Sequence, residues 1–129
     1  MKNTYPIILT PDEVGYVVYI PDFDINTEGD TLTEAIEMAR DAIGIIGIDY
    51  EDDKKPLPVP TEFSKVNHEQ NEFVTLVDVD FTEYRRKNDT RTVRRNVTLP
   101  AYLDYAASQS GINVSALLQT ALKQKLNLA

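Results

Sequence analysis

The stretch from Thr92 to Ala129, TVRRNVTLPAYLDYAASQSGINVSALLQTALKQKLNLA, constrains the chain most. Its alternating run Thr92–Leu99 reads as a β-strand, and Pro100 ends it. Apolar residues then recur at helical spacing as far as Ser110. Gly111 breaks that pattern, and a second one runs from about Val114 to Leu126. One strand and two helices in so short a stretch cannot enclose a core. A lone strand also leaves its whole ladder unpaired. The unit makes sense as half of something, its strand pairing with the same strand of a second copy.

Side-chain parity then divides the strand. Val93, Arg95, Val97 and Leu99 share one face, and Arg94, Asn96 and Thr98 share the other. Val97 and Leu99 must face the helices, which turns Arg94, Asn96 and Thr98 outward. A polar-alternating strand, a proline and two helices split at a glycine resemble the ribbon-helix-helix DNA-binding proteins. Those proteins place strands, not a helix, in the major groove. The resemblance implies a homodimer on double-stranded operator DNA. Arg94 would then grip guanine O6 and N7, Asn96 adenine N6 and N7, and Thr98 either edge or a thymine methyl.

The second helical pattern carries Val114, Leu117, Leu118, Ala121 and Leu122 on one face, which should pack on the partner chain. Asn113 is placed to cap it. Asn113, Val114 and Ser115 are therefore the expected contacts to a DNA phosphate, since a helix start offers free backbone N–H groups.

A net charge of −8 argues against a nucleic-acid binder until it is divided by position. Residues 1–81 hold 5 Lys/Arg and 18 Asp/Glu, a net of −13. Residues 82–129 hold 8 and 3, a net of +5. The basic half suits phosphates, and the acidic half suits a cationic partner. The 42% hydrophobic share is that of a globular protein. With no cysteine, disulfides and thiolate metal sites are excluded. No signal-peptide architecture and no run near the ~20 apolar residues of a membrane span is seen, so a cytoplasmic location without membrane contact is expected.

The first half reads β-β-β-α-β. Tyr5–Thr10 and Tyr16–Ile20 form an expected hairpin around Pro11-Asp12-Glu13, and Ile25–Glu28 a short third strand ended by Gly29. Thr31-Leu32-Thr33-Glu34 fits a capping box. Leu32, Ala35, Ile36, Ala39, Ile43 and Ile46 follow at helical spacing, with Gly44 and Gly47 weakening the last turn. Lys54–Asn71 is loop-like and holds the stiff Leu57-Pro58-Val59-Pro60. Phe73–Asp80 completes the sheet. Thr82–Arg91 is polar and without period, and reads as a linker. The expected organisation is an α+β chain: a sheet domain over 1–81, a linker over 82–91 and a ribbon-helix-helix domain over 92–129.

The run GYVVYIPDFDINTEGDTLTEAIEMARDAI with the later LPVP resembles the HicB-like antitoxins of bacterial toxin–antitoxin pairs. The order of hairpin, GDTL helix start, proline-rich loop, strand and ribbon is specific as a set. The resemblance implies a truncated ribonuclease-H-like sheet domain joined to a DNA-binding domain. It implies an antitoxin that inhibits a small basic HicA-like toxin, itself an mRNA-cleaving ribonuclease, and represses its own operon as a dimer. With toxin bound, the assembly would be a hetero-tetramer or larger. The exposed, acidic stretch Asp22, Phe23, Asp24 and Glu28 is the expected toxin contact.

Two other readings compete. One is a ribbon-helix-helix regulator whose acidic domain senses something else. The other is a Mg²⁺-dependent ribonuclease-H-like nuclease using Asp22, Asp24, Asp78 and Asp80 as paired carboxylates. The sheet is short for a nuclease, and carboxylate pairs at strand ends are ordinary on an acidic surface. His68, the only histidine, lacks company for a metal site, and the glycines are too scattered for a phosphate loop. No catalytic residue, metal or cofactor is expected.

Overall fold

The structure, a computed structural model, describes residues 1–128. The chain divides into two compact units, Met1–Arg91 and Thr92–Ala129.

The first unit is a four-stranded antiparallel sheet with helices on one face. Its elements are β1 (Lys2–Pro11), β2 (Tyr16–Ile20), β3 (Ile25–Gly29), α1 (Leu32–Asp52), β4 (Phe73–Asp80) and α2 (Phe81–Asn88). The strand order is β3-β2-β1-β4. Alternation decides the faces. Tyr5, Ile7 and Leu9 of β1, Val18 and Ile20 of β2, and Val77 and Val79 of β4 share one buried core with Ala35, Ala39 and Ile43 of α1. Each large apolar side chain so buried contributes about 1.5–3 kcal/mol. Pro6 stands inside β1, yet pairing with β2 runs only from Ile8 to Pro11. At Pro6 the strand is an edge on that side, where the missing N–H is tolerated.

The Thr31 cap forms as expected. Its hydroxyl oxygen accepts from the Glu34 N–H at 3.1 Å, while Glu34 Oε2 reaches back to the Asp30 N–H, one residue before the cap. The helix runs on to Asp52, past the weakening expected at Gly44 and Gly47. Both glycines are buried, and α2 explains them: Tyr84 lies over Gly44 and Phe81 over Gly47.

The linker expected over 82–91 is therefore corrected, since most of it is α2. Asp80 caps this helix by accepting from the Glu83 N–H, and Arg85, Arg86 and Lys87 sit at its C-terminal end, where cations suit the helix dipole. Its only apolar residues, Phe81 and Tyr84, are three apart and face α1.

The second unit holds α3 (Ala101–Ser110) and α4 (Val114–Leu126), with the bounds read from the sequence. Gly111 adopts a left-handed φ of 66°, and the Ile112 N–H returns to the Ala107 carbonyl at 3.2 Å. That reversal is what glycine permits at a helix end. Residues 92–99 form no strand here. The expected strand needs a ladder, and a single chain has no second copy of this segment to supply one.

Candidate protein and nucleic-acid interfaces

In the first unit the four residues expected to meet a toxin have separate roles. Phe23 is 6% exposed and packs edge-on against Tyr5, with ring centroids 4.8 Å apart, and against Tyr50 at 5.8 Å. It is a core residue, which corrects its expected place on a contact surface. The Asp22 carboxylate accepts from the Thr61 N–H at 3.0 Å and from the Thr61 hydroxyl, pinning the proline-rich loop to the end of β2. The Tyr5 hydroxyl donates to the Pro58 carbonyl at 2.9 Å and fastens the same loop. Asp24 has a left-handed φ of 51° and accepts from the Tyr19 hydroxyl at 2.7 Å, which raises that phenol's pKa. Asp24 and Glu28 are the two of the four that stand exposed.

The carboxylates weighed as a metal site do not converge. Asp78 accepts from Arg40 at 3.3 Å and lies 3.5 Å from Lys2; the Arg40 hydrogen bond holds its carboxyl below the usual range. Asp80 is spent on capping α2. Asp22 and Asp24 are engaged at the β2–β3 turn. Among the described residues no three His, Asp or Glu side chains gather where they could hold a cation. His68 is exposed in the loop before β4.

The ionic cluster of α2 was not read from the sequence. Arg85 reaches Asp52 at 3.0 Å, Asp89 at 3.4 Å and Glu51 at 3.6 Å. Arg91 closes on Asp89 at 2.8 Å and holds that carboxyl far below the usual range. The signal was present in the capping pair Asp80 and Glu83 and in two pairs at i, i+4 spacing, Glu83 with Lys87 and Arg85 with Asp89.

The second unit presents its apolar residues to solvent. No residue of α3 or α4 is buried. Leu117 is 59% exposed, Leu122 49% and Val97 51%. Asn113 caps α4, its Oδ1 accepting from the Ala116 N–H at 3.0 Å. Val114 and Ser115 lie in the first turn, exposed. Arg94, Asn96 and Thr98 are exposed as well. A groove of about 780 Å³ separates residues 92–95 from α4, and Val93, Arg94 and Arg95 all border it, with Leu118 and Leu122 opposite. Without a ladder, the segment does not sort its side chains onto two faces.

An acidic four-stranded sheet unit is thus followed by a basic helical unit whose described residues enclose no apolar core. The family profile described as HicB_like antitoxin of bacterial toxin-antitoxin system matches residues 5–122. The chain belongs to that family. It is 37% identical over 109 residues to an uncharacterized 14.9 kDa protein of the rep-hol intergenic region of Haemophilus phage HP1, covering 81% of this chain and 79% of that one. It is 36% identical over 66 residues to the antitoxin HicB of Escherichia coli K12, a match spanning 50% of this chain and 48% of that antitoxin. Among solved structures it superposes on a chain of a toxin–antitoxin complex from Streptococcus pneumoniae with a TM-score of 0.64 and 25% identity, over 97% of this chain and 99% of that one.

Proposed function

We propose that this protein neutralises a small basic HicA-like ribonuclease toxin through its acidic first unit, and represses its own operon by binding operator DNA as a dimer through residues 92–129. One observation carries the dimeric half of this reading: the second unit buries none of its leucines or valines. Burial on a second copy would remove that apolar surface from water at roughly 25 cal/mol per Å². It would also give residues 92–99 the ladder partner they lack. Family membership supports the toxin-binding half, and the acidity of the first unit fits a basic partner.

In the assembled dimer two ribbon strands run antiparallel. Arg94, Asn96 and Thr98 are then presented twice to one major groove, while Asn113, Val114 and Ser115 hold flanking phosphates. Two toxins on such a dimer make a hetero-tetramer. The test is co-expression with the product of the adjacent reading frame, followed by purification. The expected result is a stable complex that does not cleave RNA and that shifts a duplex from its own promoter. Failure to co-purify would remove the antitoxin reading, and failure to shift the duplex would remove the repressor.

A further inference from the structure

An apolar notch opens at the end of the sheet where β1 finishes and β4 begins. Its volume is about 540 Å³. Leu9 of β1, Tyr16 of β2, Leu32 and Ile36 of α1, and Phe73 of β4 line the notch. Leu9 and Phe73 are register partners across β1 and β4. The helix leaves this corner of the core face uncovered. Leu32 is 47% exposed and Phe73 58%. Two large apolar side chains facing one open notch form a contact surface in a way that one stray leucine does not.

The segments that carry the notch residues are acidic. The β1–β2 turn brings Asp12 and Glu13. The start of α1 brings Asp30, Glu34 and Glu37, and the approach to β4 brings Glu69 and Glu72. No lysine or arginine occurs between Lys2 and Arg40, nor between Lys65 and Arg85. Among the described residues every ion pair uses other carboxylates, such as Asp78, Glu83 and Asp89. The carboxylates of this end thus have no cationic partner within the described chain, and a positively charged surface would supply one. An apolar anchor pocket inside a polar rim is the usual anatomy of a protein-binding hot spot.

We propose that this notch is where the toxin docks, receiving one large apolar side chain from a positively charged face of that protein. The inference rests on the antitoxin reading and deepens it. It puts the contact on the helix-bearing side of the sheet end and away from Asp22 and Phe23.

The experiment measures binding of the purified full-length protein to the purified product of the adjacent reading frame. Phe73→Arg and Leu32→Arg each place a cation in the notch. Leu76→Arg, on the opposite sheet face and 48% exposed, is the comparison. Both notch variants should raise Kd at least about tenfold, while Leu76→Arg stays within about threefold of wild type. Rising salt should slow association of the wild type. Thermal melts check folding, and Phe73→Ser and Leu32→Gln replace any arginine variant that melts early. If wild type does not bind, the antitoxin reading fails and takes this inference with it. If wild type binds and the notch variants bind equally well, the antitoxin reading stands and the notch is excluded. A notch variant that changes only the sedimentation of the protein alone would mark a contact between copies and also overturn the proposal.

Discussion

The ring of Tyr84 occupies the space a Cβ would need at Gly44, with its Cδ2 only 2.5 Å from that position. The same tyrosine donates its hydroxyl to Asp41 at 2.7 Å. Burial first, and then Asp41, push the phenol pKa up to about 12. Helix α2 is thereby docked on α1 by an aromatic seated on a glycine, with Phe81 repeating the contact one turn away at Gly47.

Gly44→Ala sets two effects against each other. Alanine gains roughly 0.5–1 kcal/mol of helix propensity. Overpacking against the ring costs about 1–3 kcal/mol, and the ring's Cγ is as close as its edge, so it cannot swing clear without moving α2. The expected net is a loss of about 1 kcal/mol in urea unfolding. The Tyr84 phenol should also titrate back toward its ordinary value of about 10, followed by NMR on labelled tyrosine.

Acid should loosen the first unit. Asp89 is held far below its usual range by its hydrogen bonds from Arg91, with Arg85 adding attraction, and Asp78 is held low by Arg40. A carboxyl depressed in the folded state stabilises it above its unfolded pKa, and that contribution is lost as pH falls toward the folded value. Urea midpoints should therefore be flat near neutrality and fall below about pH 4. Asp89→Asn should shrink the fall, and added salt should too, chiefly through the more exposed Arg40–Asp78 pair.

How legible each element was depended on where its information lies. The bounds of α3 and α4 could be read because Pro100, Gly111 and Asn113 act locally, through a missing N–H, a positive φ and a cap. The sheet was legible in Tyr16–Ile20 and Phe73–Asp80 because alternation faces one core. Helix α2 was not, because its two apolar residues mean nothing until the glycines of α1 receive them. Phe23 was misplaced for a similar reason. Its aspartate neighbours announce a surface turn, yet the ring folds inward onto Tyr5 and Tyr50. The notch was also hidden, since Leu9, Leu32 and Phe73 meet only in three dimensions. Thr92–Leu99 reads as a strand by its alternation, yet the single chain forms none there, because alternation supplies no ladder.

Leu118→Asp tests the proposed dimer in the full-length protein. Leu118 is 36% exposed in the single chain, and melting at a concentration too low for association measures what the substitution costs within one copy. Against a partner it buries a carboxylate beside leucines, which is strongly unfavourable. Sedimentation should change from dimer to monomer at micromolar concentration, and the wild type's concentration-dependent melting should disappear. A wild type that sediments as a folded monomer would remove the ribbon reading.

Asn113→Ala removes the side-chain acceptor for the Ala116 N–H. Loss of such a cap costs about 1 kcal/mol. Operator and scrambled duplex should both bind more weakly, to a similar degree, because a misplaced helix start weakens phosphate contacts without regard to sequence. Competition between the two duplexes at fixed salt measures this.

Base reading separates the two faces of Thr92–Leu99 most sharply. Arg94 and Asn96 share the parity expected to face DNA, and Arg95 the other. Arg94→Ala should cost about 1–3 kcal/mol of discrimination per half-site, and two half-sites double it. Asn96→Ala should relax preference at one base pair per half-site while leaving non-specific affinity nearly unchanged. Arg95→Ala should disturb packing toward the helices, the side to which parity assigns its aliphatic stem, and alter sequence choice least. The comparison is operator against scrambled duplex, at one salt concentration, for the three single variants. Should Arg95→Ala abolish specificity while Arg94→Ala and Asn96→Ala preserve it, the strand register is displaced by one residue. The face bearing Val93 and Arg95 would then be the one in the groove.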